Sequence, residues 1–259
     1  MYTLIGDIGN TITKICLINN NNYKMEKIIY FNSVKIKDHH FIKKKLTTIF
    51  NKRHINNTSL FSSVVPNYEN IFRKILIQSF KVKLLEVKNK KLKKIVKINI
   101  KNKNQIGSDR IANAIGGFKL YRSNCIILDF GTATTFDVVT SGGTYNGGVI
   151  APGIKLSMET LSIKADKIPF FSVKKQKNVV GKNTLEALRS GFYWGYIGLI
   201  NNIISKIEKE TKKKYKIIFT GGYADLFNSS IIRNYTIDRN ITIKGIIEIF
   251  KNNENYFNT

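Results

Sequence analysis

The stretch that most constrains this chain is Ile126 to Thr140, IILDFGTATTFDVVT, which reads as strand, turn and strand. An apolar run reaches Asp129, Gly131 turns the backbone, and a second strand leaves through Thr134 to Val139 with Asp137 inside it. Such a turn suits nucleotide phosphates, because Gly131 lets backbone N–H groups approach an anion while Thr132 and Thr134 add hydroxyl donors. Asp129 at the lip is placed to hold a cation or its water. Taken alone, the pattern is equally that of a plain hairpin.

The chain opens with the same device. Tyr2 to Ile8 is an apolar run carrying Asp7, Gly9 makes the turn, Asn10 and Thr11 follow, and Thr13 to Ile18 reads as the return strand. DIGNT and DFGTA lie half a chain apart. A repeat at that interval predicts two similar halves, residues 1–118 and 119–259, each presenting one turn to a shared cleft. Two unrelated hairpins are the alternative.

Length and composition fit this plan. A chain of 259 residues, 42% of them hydrophobic, can bury a sizeable core. The N-terminus lacks a basic segment followed by an apolar one, and no apolar run is long enough to span a bilayer, so the expectation is a cytoplasmic protein without a membrane partner. Cys16 and Cys125 sit in or beside expected strands and read as small buried hydrophobes, and three His give no zinc constellation.

The net charge is +26, from 43 Lys and Arg against 17 Asp and Glu, which is the balance of a nucleic-acid binder. The excess, however, is mostly Lys, is spread along the chain and travels with Asn and Ile, residues that share AT-rich codons. The denser runs, Lys43 to Lys45, Lys88 to Lys94 and Lys212 to Lys214, read as solvated helix faces and loop tips rather than a stripe. No nucleic-acid partner is expected.

Strands followed by helices recur along the chain and argue for α/β layers. Tyr23 to Phe31 reads as a strand, Phe41 to Phe50 as an amphipathic helix, Thr58 to Val65 as a buried parallel strand, and Pro66 opens a helix. Val82 to Val87 and Ile95 to Ile100 are further expected strands. Later come a helix from about Lys155, a long apolar helix after Gly181 to Thr184, and a strand at Lys216 to Phe219 whose TGG turn opens a helix. A last helix at Ile246 to Phe250 is expected at the periphery, with Asn252 to Thr259 fraying.

Between these lies GSDRIANAIGG, Gly107 to Gly117. Ser108 can cap a helix, which puts Asp109 and Arg110 in its first turn. Asp109 complements the helix dipole there, but Arg110 opposes it. A first-turn Arg facing a cleft can instead grip an anionic substrate group, with Asp109 beside it as a base.

In the order DIGNTITK, SSVVP, GSDRIAN, DFGTATTFD, GGVIAPG and TGG, these motifs resemble those of the type III pantothenate kinases over nearly the whole chain. The resemblance implies an α/β fold of two RNase H-like, actin-like ATPase domains, each a mixed sheet flanked by helices, with the nucleotide cleft between them. It implies a homodimer that phosphorylates pantothenate with ATP, the first step towards coenzyme A, using Mg2+ and a monovalent cation, K+ or NH4+. Carried over by position, Asp7, Ile8, Gly9, Asn10, Thr11, Ile12, Thr13 and Lys14 form the ATP phosphate turn, with Asp7 holding hydrated Mg2+ and Thr132 touching ATP. Gly107, Ser108, Asp109 and Arg110 form the pantothenate site, with Asp109 as proton acceptor. Asp129 binds the monovalent cation, and Thr184 contacts pantothenate within or across subunits. Ile100 and Lys103 depart from the Tyr and Pro that many relatives carry at the pocket wall.

Two alternatives stay open on the sequence alone. Another kinase of the same superfold, acting on a sugar or short acid, keeps both phosphate turns and differs around Gly107 to Arg110. A regulator or nucleic-acid binder on a degenerate kinase scaffold draws on the charge; intact Asp7, Asp109 and Asp129 count against it.

Overall fold

The computed structural model describes residues 1–51, 53–227 and 234–257. In chain order its first elements are β1 (Tyr2–Ile8), β2 (Ile12–Asn19), β3 (Met25–Asn32), α1 (His39–Phe50), β4 (Thr58–Ser63), α2 (Pro66–Phe80) and β5 (Lys83–Glu86). The middle of the chain supplies β6 (Lys97–Ile98), α3 (Ser108–Tyr121), β7 (Cys125–Phe130), β8 (Ala133–Val139) and β9 (Thr144–Pro152). It closes with α4 (Ile154–Lys164), α5 (Thr184–Thr211), β10 (Lys216–Gly221), β11 (Tyr235–Ile237), α6 (Ile241–Lys251) and α7 (Glu254–Phe257). The chain forms two compact units, one of Met1–Arg122, Gly142–Tyr145 and Asn240–Thr259, the other of Ser123–Ser141 and Asn146–Arg239.

The first unit is built on a sheet in the order β3-β2-β1-β4-β5, with β1 antiparallel to β2 and parallel to β4. Alternation along β1 splits its side chains between two faces. Leu4 and Ile8 join a core with Ile42 and Leu46 of α1 and Phe72 and Ile75 of α2. Ile5 joins Leu60 in a second core with Ala112 and Ile115 of α3 and Ile243, Ile246 and Phe250 of α6. Asp7 and Ser62 follow Ile5 and Leu60 by two residues and are ladder partners, so both lie on the α3 face.

The helix expected at Ile246 to Phe250, which is α6, is not peripheral, contrary to expectation. α6 buries eight of its residues, among them Ile241, Ile243, Ile246, Ile247, Ile249 and Phe250, and each large apolar side chain so buried contributes about 1.5–3 kcal/mol. Its backbone meets that of α3 closely: a Cβ on Gly245 would stand 1.9 Å from the Ala112 carbonyl oxygen, and one on Gly116 would stand 2.6 Å from that of Ile241. Thr242 Oγ1 donates to Asn113 Oδ1 at 2.8 Å inside this contact. Nor do residues 252–257 fray; the remainder of that expected segment, 258–259, lies outside the described residues. Phe257 is buried, its carbonyl accepts from Asn56 Nδ2 at 2.8 Å, and Glu254 accepts from the Tyr23 hydroxyl at 2.9 Å.

In the second unit the strands run β11-β10-β7-β8-β9, with β10 parallel to β7 and β11, and β8 antiparallel to β7. Even-numbered residues of β7 and β8 enter a core with α4 and α5, in which Phe227 stacks on Phe130, Tyr193 and Tyr196. Tyr193 and Tyr196 of α5 are thus spent inside. Two expected strands shorten to β5 and β6, and β6 pairs with Thr144 and Tyr145, residues that group with the first unit. The expected helix after TGG is replaced by turns over 222–227, and its continuation through 228–233 lies outside the described residues.

Candidate functional site

In the first unit the Asp7–Lys14 turn is braced from beneath. Gly9 N–H bonds to the Ile12 carbonyl at 3.2 Å, Ser33 Oγ donates to the Gly9 carbonyl at 2.6 Å, and Thr13 Oγ1 pairs with Ser33 Oγ at 2.8 Å. Ile8 and Thr13 are fully buried, so their side chains serve the rigidity of the turn, whereas Asn10 and Ile12 are exposed. Asp7 and Lys14 are direct ladder partners and project from the same face.

Asp7 connects to the start of α3 through β4. Ser62 Oγ donates to Asp7 Oδ1 at 2.8 Å and lies 3.5 Å from Ser108 Oγ. Ser108 does not cap α3 as expected: Gly107 occupies the cap position without a side-chain bond. Its hydroxyl instead donates to the Ser63 carbonyl at 2.8 Å and accepts from the Ser63 N–H at 2.9 Å, fixing the helix start to the end of β4.

Asp109 and Arg110 occupy the first turn of α3, where Asp109 Oδ1 accepts from the Arg110 N–H at 2.8 Å. A Cβ on Gly107 would stand 2.4 Å from the same oxygen, so glycine there leaves room for the carboxylate. Burial pushes the Asp109 carboxyl above its usual range; the Arg110 N–H bond and the charges of Arg110 and Lys88 pull it back only in part. The Arg110 guanidinium carbon stands 6.0 Å from the ring centre of buried Tyr145, within cation–π reach.

Several neighbours of this cluster were not picked out from sequence as site residues. Ser62 and Ser63 belong to the SSVVP motif, whose order was visible but whose hydroxyl partners were not. Glu86 ends β5; its Oε2 accepts from the Lys88 N–H at 2.6 Å, and burial raises its carboxyl despite relief from Lys88 and Ser108. Lys88 comes from a run read as a loop tip, and Tyr145 from β9. Ile100 and Lys103 lie in the connection between β6 and α3, Ile100 half-buried and Lys103 exposed.

In the second unit, Asp129 and Thr132 sit on the β7–β8 turn. The turn is backed by Gly153, whose Cβ would stand 2.1 Å from the Thr132 carbonyl oxygen, and by Gly222, whose N–H bonds to the Phe130 carbonyl at 3.1 Å. Gly221 has φ +86°, and a Cβ there would stand 2.6 Å from Asp129 Oδ1. The ladders pair Asp129 with Thr135 on one side and Thr220 on the other, which sets three oxygen-bearing side chains in a row on one face. Thr220 Oγ1 is buried and has no hydrogen-bond partner among the described residues. Thr184, also in this unit, is the exposed first residue of α5. Among the described residues no group of three or more His, Cys, Asp or Glu side chains is arranged to hold a metal ion.

Comparison with known proteins follows the same lines. A family model described as type III pantothenate kinase matches residues 3–206. A type III pantothenate kinase from Pelagibacter ubique is 49% identical over 244 residues, 94% of this chain and 96% of its own. One from Sulfurihydrogenibium is 37% identical over 93% of this chain and 96% of its own. Among solved structures, a protein described as a conserved putative Baf family transcriptional activator from Campylobacter jejuni superposes with a TM-score of 0.64 at 19% identity, over 97% of this chain and 99% of its own. A putative sugar kinase from Cytophaga hutchinsonii gives 0.51 at 11% identity, over 97% and 100%. At those identities the superpositions speak for the fold alone, two units each built on a sheet flanked by helices.

Proposed function

We propose, for a chain that belongs to the type III pantothenate kinase family, a division of labour in which Asp109 accepts the proton and Asp7 and Asp129 manage cations. The protein is an ATP-dependent kinase that phosphorylates pantothenate on the way to coenzyme A. The observation that carries the assignment of roles is the half-buried Asp109 carboxylate, fixed at a helix start by the Arg110 N–H, with burial raising its affinity for a proton.

Phosphoryl transfer asks mainly for positioning and charge neutralisation. Asp109 takes the proton of the primary hydroxyl as that oxygen bonds to the γ-phosphorus and the bond to the ADP oxygen breaks. A carboxylate whose proton affinity burial has raised is the better acceptor at this step. Gly107, Ser108 and Arg110 position the acceptor, with the Arg110 guanidinium offering charge to an anionic group, and Ile100 and Thr184 add substrate contacts.

Residues 7–14 receive ATP phosphates on their backbone N–H groups, with the Lys14 ammonium on the face of Asp7, and Thr132 makes a further nucleotide contact. Bound cations would neutralise phosphate charge. One half-buried carboxylate, Asp7, suits a Mg2+ that keeps most of its waters. Asp129, flanked by the Thr135 and Thr220 hydroxyls, offers the oxygen-rich, singly charged set that suits K+ or NH4+, and the unpartnered Thr220 hydroxyl supports that fit.

A homodimer is part of this reading. Ile163, Phe170, Val179 and Val180 of the second unit are each more than 60% exposed, apolar area that a second copy would cover. A cytoplasmic location accords with the absence, among the described residues, of a helix long and apolar enough to cross a membrane.

The test is ATP consumption with and without pantothenate, in K+ or in Na+, by wild type and by Asp109→Asn. The variant should fold and bind ATP yet lose roughly 10²- to 10⁴-fold in turnover, as for a removed general base. Wild-type turnover in that variant would remove Asp109 from the mechanism.

A further inference from the structure

Lys88 heads one of the lysine runs whose sequence suggests a solvated loop tip, and it is exposed on the turn after β5, but its ammonium is held. Its Nζ donates to the Ile106 carbonyl at 3.0 Å and to the Asn104 carbonyl at 3.2 Å. Those two carbonyls belong to the segment that delivers the chain to Gly107. At its other end the residue is also fixed, because its N–H donates to Glu86 Oε2 at 2.6 Å. The ammonium therefore ties the exit of β5 to the entrance of the Gly107–Arg110 turn.

We propose that Lys88 is a positioning residue of the acceptor site: it fastens residues 104–106 and so holds Asp109 where it takes the proton from substrate. This rests on the reading of Asp109 as the base. Residues 99–107 hold only a short 3-10 turn at Lys103–Gln105 between β6 and α3. A connection of that kind needs side-chain anchors if the helix start is to keep one geometry, and a catalytic group misplaced by even an ångström or so loses rate steeply. Lys88 supplies two such anchors, one on Asn104 within the 3-10 turn and one on Ile106 just after it, and Ser108 supplies the third, on β4.

Its charge has a second consequence. The groups that face Asp109 are Arg110 on its own helix and Lys88 beyond β5; behind them stand Glu86 at the end of β5, Glu69 of α2 in its ion pair with Arg73, and Asp7 through Ser62 and Ser108. Both cations favour the ionised carboxylate, as do the N–H groups of Arg110 and of Asp109 itself, so withdrawal of Lys88 removes one of several influences that oppose burial.

The experiment compares Lys88→Met, which keeps the stem without charge or donors, with Lys88→Arg, which keeps both, and runs Asp109→Asn alongside. In Lys88→Met we expect kcat to fall roughly three- to tenfold, a modest misalignment by the scale of such effects. The KM for ATP should stay unchanged, and the acid limb of the kcat/KM profile should move to higher pH. Lys88→Arg should restore both readouts. A Lys88→Met enzyme with wild-type kcat and an unmoved acid limb overturns the inference. If Lys88→Met does not fold, Lys88→Gln is read the same way, and an unmoved acid limb with wild-type kcat again overturns it. Wild-type turnover in Asp109→Asn sinks the base assignment itself, whereas an inactive Asp109→Asn beside a silent Lys88 variant sinks only the role of Lys88.

Discussion

From the neighbouring strand the Ser62 hydroxyl donates to Asp7 Oδ1 at 2.8 Å, and Ser62 Oγ itself stands 3.5 Å from Ser108 Oγ. One short side chain thus orients the carboxylate of the first phosphate turn and touches the start of the helix that carries Asp109. Because a hydrogen bond to a charged group is worth about 1.5–3 kcal/mol, Ser62→Ala should lower kcat/KM for Mg-ATP by roughly tenfold or more, at about 1.4 kcal/mol per tenfold. The loss should appear in a Mg2+ titration at fixed ATP, while KM for pantothenate changes little. A normal Mg2+ titration would detach Asp7 from nucleotide handling.

Asp109 should cost the fold stability that its function requires. Burial raises its carboxyl in the folded protein above the value in the unfolded chain, so folding favours the protonated form. The stability tied to that preference is fully present below the unfolded-chain pKa and is lost as pH rises through the raised folded value. At neutral pH, Asp109→Asn should therefore melt at a higher temperature than wild type, and the difference should shrink as the solution is acidified. Thermal melts of both proteins over a pH series decide it. A variant that is less stable at neutral pH would mean that the Arg110 N–H bond outweighs burial.

How much of this was legible in the sequence depends on the range of each interaction. The two turns announced themselves because strand, Gly, Thr and Asp lie within a dozen residues of one another. The start of α2 was equally local, marked by Pro66. Ser108 was misread as a cap because its true partner, Ser63, is 45 residues away and only the β1–β4 pairing brings it near. The same holds for α6, whose apolar residues look like any amphipathic helix until Gly245 is found against Ala112. Lys88 was hidden by composition: in a chain of net charge +26 one more lysine carries no signal.

The α3–α6 contact is a place where one methyl group should be felt. A Cβ at Gly245 would stand 1.9 Å from the Ala112 carbonyl oxygen and 3.1 Å from the Gly116 nitrogen, all backbone atoms that cannot rotate aside. Gly245→Ala adds helix propensity worth about 1 kcal/mol, but overpacking of a filled contact costs about 1–3 kcal/mol, and forced helix separation places this case at the upper end. Chemical denaturation should show a lower midpoint with an unchanged slope. An equally stable Gly245→Ala would mean that α3 and α6 slide apart freely.

Gly221 and Asp129 offer the sharpest separation of a cation role from a structural one. Gly221 lies at φ +86°, where an L-residue is strained, and its added Cβ would fall 2.6 Å from both Asp129 Oδ1 and the Phe130 nitrogen. Gly221→Ala should displace the carboxylate without removing it, so the K+ concentration for half-maximal rate should rise while the rate at saturating K+ is largely kept. Asp129→Ala removes the anion, and its rate should lose most of its dependence on K+ altogether. A second readout is free of turnover: K+ should raise the melting temperature of wild type relative to Na+, less so for Gly221→Ala, and not at all for Asp129→Ala, since a ligand stabilises only the state that binds it. If Asp129→Ala keeps both the K+ titration and the K+-dependent melt of wild type, the monovalent cation is held elsewhere, and the Thr135–Asp129–Thr220 row is a feature of the sheet alone.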